Sequence, residues 1–330
     1  MRPAFRILLL VFFFVSCARF QPSEPVKEAD LGIPTELTEK FSVKEAEAPA
    51  VKPEEKPEEK PRKKPAAPPA RKVSKDVVTF PDRWKGRPPM FRPGDRSVYD
   101  ITFFGATAGE LDLRVLPNKI VADRNVFHVR AEAKSTSVFA LFYRVNDYGE
   151  SFIDAEAIVP LKFQLRQDES IQQRDIVELY DHKKRKMYYW SKWEHKKKGN
   201  RLDKFEIDIP NFTQDSVSAF YFIRTLPLEE GKSYQFDVST NGKMRTVRAT
   251  VVRRERLQTR AGEFPTIVVK PEVVLDGILQ KAGDTFLWVT DDEYRDVVKL
   301  DAKIKIGSVI AYLRELYREG KPVGEAGHGR

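Results

Sequence analysis

Cysteine is almost missing from this chain: its 330 residues contain one, Cys17. No internal disulfide can therefore staple the fold, and no cysteine-based zinc cluster can form. Histidine is scarce too. His128, His182, His195 and His328 include no pair four apart and none beside a cysteine, so the usual metal-ligand spacings are absent. His128 alternates with Phe127 and Val129 and belongs to the polar face of a strand. No Gly-x-Ser-x-Gly turn presents a serine nucleophile. "GATAG", Gly105 to Gly109, reads as a hairpin turn, not a phosphate cradle. The acids Asp147, Glu150 and Asp154 lie close in sequence, but a glycan-cleaving pair needs carboxyls roughly 5 to 9.5 Å apart, which spacing along a chain does not supply. Long apolar runs are missing as well: Ile7–Val15 is nine residues, where a membrane-spanning helix needs about 20. These absences point away from catalysis and leave no cofactor to expect.

What is present begins with an address. Arg2 and Arg6 precede the apolar run, the layout of a secretory signal. Val15-Ser16-Cys17 then stands where a small-x-small cleavage site would. It resembles the bacterial lipobox, in which the chain is cut just before a cysteine that becomes lipidated, although Phe14 replaces the usual Leu. A plain signal with an incidental cysteine is the alternative, and the 313 cysteine-free residues that follow argue against it. The expectation is a signal peptide over 1–16 and a palmitate-type anchor on Cys17, with stable attachment resting on two or three acyl chains. Ala18, rather than Asp, directs the expectation to the outer membrane, with the folded part in the periplasm.

Residues 17–90 read as a disordered spacer. From Lys44 to Lys75 they run "KEAEAPAVKPEEKPEEKPRKKPAAPPARKVSK", with too little apolar surface to offset ordering entropy and enough proline to favour extended polyproline II. A transient helical turn within Thr35–Val43 is the exception. One domain is expected over 91–316 and a flexible tail over 317–330.

Within that domain apolar residues recur at every second position. Leu111, Leu113 and Val115 alternate with Glu110, Asp112 and Arg114. The same period marks Phe163/Leu165, Phe205/Ile207/Ile209, Tyr234/Phe236/Val238 and Val298/Leu300/Ala302/Ile304/Ile306. One wet face and one buried face is the pattern of antiparallel sheet. Pro117-Asn118, Asn241-Gly242, Ala261-Gly262 and Ala282-Gly283-Asp284 read as turns, which yields about twelve strands. Two short helices interrupt them, one over Thr136–Phe142 and a stronger one capped by Asp215 and stopped before Pro227. The fold class is all-β: a single strongly curved sheet or barrel-like domain with one or two short helices.

The order "PGDRSVYDITFFGATAGELDLRV", "FYRVNDYGESFIDAEAIVPLKFQLRQDES", "QDSVSAFYFIRTLPLEEGKSYQF", "TRAGEFPTIVVKP" and "TFLWVTDDEYRDVVKLDAKIKIGSVIAYL" resembles the uncharacterised periplasmic family called domain of unknown function 3108. The resemblance spans about Arg92 to Leu316 and is one of strands and turns. It implies an exported, all-β, single-domain protein and no particular activity.

One segment asks for a partner. His182–Arg201 carries Lys183, Lys184, Arg185, Lys186, Lys192, Lys196, Lys197, Lys198 and Arg201 against one acid, Glu194, in a chain of net charge +9. Tyr188, Tyr189, Trp190 and Trp193 lie between the cations. A solvated rim with aromatics in the core explains part of this, but tryptophans on alternate faces cannot share one core. The expectation is an anionic envelope partner: anionic lipid, lipopolysaccharide or an acidic polymer, with Trp190 and Trp193 at headgroup depth. Nucleic acid is not expected for an exported lipoprotein. The runner-up is an acyl-chain carrier using an apolar barrel cavity, and an envelope-glycan hydrolase is a distant third.

Overall fold

The computed structural model describes residues 26–46, 91–275, 278–279, 285–303 and 307–324. Segment 1–16, Cys17, the proline-rich stretch 47–90, the turn at Ala282-Gly283-Asp284, and Ile304 and Ile306 lie outside the described residues.

The described chain starts with a 3-10 turn (Glu28–Leu31), helix α1 (Thr35–Lys40) and strand β1 (Val43–Glu45). A meander follows: β2 (Arg96–Phe103), β3 (Ala106–Val121), β4 (Arg124–Ser135) and β5 (Asn146–Asp154). It continues as β6 (Pro160–Asp168), β7 (Gln172–Asp181), β8 (Lys186–His195) and β9 (Gly199–Asp208). Helix α2 (Ser218–Arg224) intervenes before β10 (Ser233–Thr240), β11 (Lys243–Thr259) and β12 (Gly262–Leu275). The last strands are β13 (Ile278–Leu279), β14 (Thr285–Thr290), β15 (Val297–Lys303), β16 (Ser308–Arg318) and β17 (Lys321–Pro322).

All ladders are antiparallel, in the order β10-β11-β12-β14-β15-β16-β2-β3-β4-β5-β6-β7-β8-β9. The β16–β2 ladder welds the two halves of the chain together. The sheet curls until its outer strands approach, but β9 and β10 share no ladder. Side chains and one loop make the seam instead. Gln214 bridges to β10 through Gln214 N–H to Asp237 O (2.8 Å) and Ser239 N–H to Gln214 O (2.7 Å). Arg174 Nη1 donates to Asn241 Oδ1 at 3.0 Å. At Gly242, with φ +68, an added Cβ would sit 2.6 Å from the Phe205 ring, so this close approach requires glycine.

The concave face wraps α2. Tyr221 packs edge-on against Phe91 with centroids 4.8 Å apart, and Phe222 lies 5.0 Å from Phe236. Asp215 accepts from the amides of Val217 (2.6 Å) and Ser218 (2.7 Å), which is the capping expected of it. Arg224 bonds Asp296 at 2.7 Å, so it is anchored away from Asp215.

A second apolar cluster lies on the outer face. Leu31 and Phe41, each 1% exposed, cover Phe152, Val177, Leu179 and Trp190. Lys40 Nζ reaches Asp181 Oδ2 at 2.6 Å, buried Lys162 pairs with Glu28 at 2.7 Å, and β1 adds to β3. Residues 26–46 are therefore a strap on the domain and not part of a spacer. Spare aliphatic residues in a polar stretch suffice, because the sheet supplies most of the apolar surface.

Four further expectations are corrected. Pro117-Asn118 forms no turn: β3 runs through it with a register shift between Leu116 and Lys119, and the turn falls at Ala122-Asp123. A proline in a ladder forces such a bulge. The helix expected over Thr136–Phe142 is a 3-10 turn, Phe139–Leu141. His128 does face outward, but it is buried, stacked on Phe152 at 4.6 Å and 2.7 Å from Glu150 Oε1. β16 and β17 extend the folded part to Pro322, into the expected tail.

Candidate functional site

The inward positions of neighbouring strands are not uniformly large. Ala131 and Ala133 on β4, Gly149 on β5 and Ala311 on β16 all face the interior. Gly149 pairs with Ala131 and Asp147 with Ala133, so small side chains stand next to one another instead of opposite bulky ones. The result is an apolar cavity of about 120 Å³ between the concave face and α2. Ile101, Leu111, Leu113 and Leu165 line the sheet side, and Val217 and Phe220 the helix side. The lining reaches the end of the barrel that carries the β2–β3, β4–β5 and β15–β16 connections. Ala133, Asp147 and Val309 each lie within two residues of their strand ends there.

Asp147 is the acidic group of this lining. It is 2% exposed; Oδ1 accepts from the Asp168 amide at 2.9 Å, and Oδ2 has no partner among the described residues. Burial, aided by the neighbouring Glu169 carboxylate, pushes Asp147 well above the usual carboxylate range. Glu169 is also raised by burial, though it accepts from Tyr143, Gln172 and Gln167. Deeper, Ser151 Oγ donates to Asp215 Oδ2 at 2.5 Å. Burial pushes Asp215 up to about 7 despite the opposing pull of three hydrogen-bond donors, Ser151, Ser218 and Val217. Among the described residues no histidine bonds Ser151 or Asp215; His128 stacks on Phe152, on the other face of the sheet from Ser151. Among the described residues no group of three or more His, Cys, Asp or Glu is placed to hold a metal ion.

The basic hairpin is taken apart by the fold. Lys183, Lys184 and Arg185 lie in the β7–β8 turn, while Lys196, Lys197 and Lys198 lie in the β8–β9 turn. These turns are at opposite ends of β8, about 30 Å apart at 3.3 Å per residue. The remaining cations are paired: Lys186 with Asp208 (3.0 Å), Lys192 with Glu194 (3.2 Å) and Arg201 with Asp203 (2.6 Å). Trp190, 5% exposed, is buried beneath the strap. Trp193 donates Nε1–H to Gln172 Oε1 at 2.8 Å, with the Lys198 ammonium 5.7 Å from its ring. The expected single patch is thus two separate basic turns, without Trp190. Cys17 lies outside the described residues.

These features define a class: an incompletely closed antiparallel β-barrel with an internal helix and an apolar cavity beside it. The chain belongs to the family described as protein of unknown function DUF3108, whose model matches residues 98–314. No curated protein sequence matches it. Among solved structures, it is similar to a β-barrel-like protein of domain of unknown function DUF1849 from Brucella abortus. That likeness has 10% identity and a TM-score of 0.46, covering 69% of this chain and 99% of that one. A candidate lipoprotein from Parabacteroides distasonis matches with 11% identity and a TM-score of 0.32, covering 71% of this chain and 100% of that one. A candidate exported protein with a YmcC-like fold from Bacteroides fragilis matches with 9% identity and a TM-score of 0.31, covering 69% and 97%.

Proposed function

We propose that this is an exported, lipid-anchored binding protein that takes the end of an acyl chain, or a group of similar size and polarity, into the cavity beside α2. The observation that carries the reading is the cavity itself: about 120 Å³ lined almost wholly by apolar side chains. A dry apolar cavity of roughly 150 Å³ takes up benzene, so this one suits about six carbons and not a whole acyl chain. The runner-up drawn from the sequence thereby becomes the first reading. The export signal around Arg2 and Arg6 and the lipobox-like Cys17 support the placement in the envelope, at the outer membrane.

Magnitude constrains how such a protein works. Burying six methylenes gives about 5 kcal/mol at ~0.8 kcal/mol each, which corresponds to a dissociation constant no tighter than roughly 0.1 mM. Capture is therefore effective where the chain ends are concentrated, at a membrane. Native mass spectrometry of the purified full chain tests the reading. An apolar adduct that is extractable by organic solvent, and lost in Ala133→Leu, is expected. A bare chain after gentle purification that also takes up no added fatty acid contradicts it.

A further inference from the structure

The most exposed large apolar side chains among the described residues are gathered at one end. Phe104, Val138, Leu141 and Phe142 are 68%, 68%, 83% and 81% exposed. Phe104 tips the β2–β3 turn, and the other three lie in the β4–β5 connection, so all four stand at the end that the cavity reaches. Phe103 ties the two connections, packing edge-on against Phe104 at 4.4 Å and Phe139 at 6.2 Å. The rim then continues through backbone bonds, from Ser170 N–H to Arg144 O and from Lys196 N–H to Ile171 O, both 3.0 Å. One row of connections therefore carries four apolar tips, then half-exposed Ile171, then Lys196, Lys197 and Lys198.

We propose that this end of the barrel docks onto an anionic lipid bilayer. Phe104, Leu141 and Phe142 enter the interface, and Lys196, Lys197 and Lys198 meet the headgroups. Two observations select a bilayer over a protein. The apolar residues project from two neighbouring connections, Phe104 from one and Val138, Leu141 and Phe142 from the other, which suits a fluid surface that needs no shape match. The lysines beside them form no ion pair among the described residues, so their charge is available to anionic lipid. The Lys183-Lys184-Arg185 turn has the same charge at the far end but no large apolar residue of its own. It thus serves as an internal control that sequence alone does not provide. Docking rests on the rim and not on whether the cavity is filled, so either idea can fail without the other.

The test uses the full chain bound to vesicles of phosphatidylcholine and phosphatidylglycerol containing brominated lipid, which quenches tryptophan at acyl depth. Parent, Phe142→Trp and Lys184→Trp are compared, the native tryptophans providing a common background. Extra quenching is expected in Phe142→Trp and none in Lys184→Trp. Changing Lys196, Lys197 and Lys198 together to Gln should abolish that extra quenching, as should molar salt, where the screening length is about 3 Å. Changing Lys183, Lys184 and Arg185 to Gln should leave it intact. No extra quenching in Phe142→Trp overturns the proposal, the result expected if the tips cover a protein partner. Equal quenching at both ends, or identical effects of the two charge changes, overturns it as well.

Discussion

Replacing Phe41 by alanine strikes the contact that holds the N-terminal strap to the barrel. Phe41 is 1% exposed and packs in one cluster with Leu31, Leu179 and Trp190. Truncating a buried phenylalanine costs about 3 to 5 kcal/mol, and the lower end applies here because a strap on an outer face can adjust. A cost of about 3 kcal/mol is a shift of more than a hundredfold in the docked-to-undocked ratio. Leu31, the buried Lys162–Glu28 pair and the β1–β3 ladder still hold the strap in the variant, but they are present in the parent too and so do not offset the lost packing. Lys40–Asp181 is half-exposed on the lysine side, and exposed pairs contribute less than about 1 kcal/mol. Undocking uncovers Trp190, so acrylamide quenching of its fluorescence should rise, and amides of β1 should lose protection from hydrogen exchange. Thr38→Ala, at an exposed position of α1, should stay within about 0.5 kcal/mol of the parent. If Phe41→Ala behaves like Thr38→Ala, the strap is not part of the fold and the spacer reading of 17–90 returns. The outcome bears on reach. With Val26 docked, at most about 30 Å of extended chain separates Cys17 from the barrel, at about 3.5 Å per residue.

Two more outcomes follow from the site and the anchor. Asp147 has a raised pKa in the fold, so folding favours its protonated form, and that preference is lost as pH rises from about 4, where an unfolded aspartate titrates, toward the raised value. Asp147→Asn should therefore gain stability relative to the parent across that rise, by up to about 1.4 kcal/mol per pH unit, read as the difference between paired urea melts; a difference flat with pH contradicts the burial argument. Cys17→Ala should abolish fatty-acid labelling and leave an uncut precursor; a variant that still labels contradicts the lipobox reading.

Much of the domain was legible because antiparallel strands with one wet face write their orientation into alternate residues, as in "GELDLRVL" and "KFQLRQ". The cap at Asp215 was legible for the same local reason. The strap was not, because its contacts are long-range: Lys40 meets Asp181 across 141 positions, and Leu31 and Phe41 look isolated in a polar stretch. That layer also answers the paradox of alternating aromatics on β8, where Tyr189 packs inward while Trp190 packs beneath the strap. Pro117-Asn118 misled because a bulge and a turn share their residue types. The cavity did leave a trace, Ala131, Ala133 and Gly149 on inward positions of adjacent strands, but only the β4–β5 register brings them together. Spacing in sequence likewise hid that Lys183 and Lys198 lie at opposite ends of one strand.

The most direct test of the account is to fill the cavity and ask whether binding disappears. Ala133→Leu and Ala311→Leu each add carbons to its lining, from β4 and from β16 on the sheet side. Titration of the purified full chain with cis-parinaric acid, a fluorescent polyene fatty acid, should show saturable binding that weakens at least about tenfold in the double variant, the equivalent of about 1.4 kcal/mol. Thermal stability should hold or rise, whereas an already filled core would be overpacked at a cost of about 1 to 3 kcal/mol. Unchanged binding in the double variant, or a parent that binds no probe, contradicts the assignment of an apolar-ligand site.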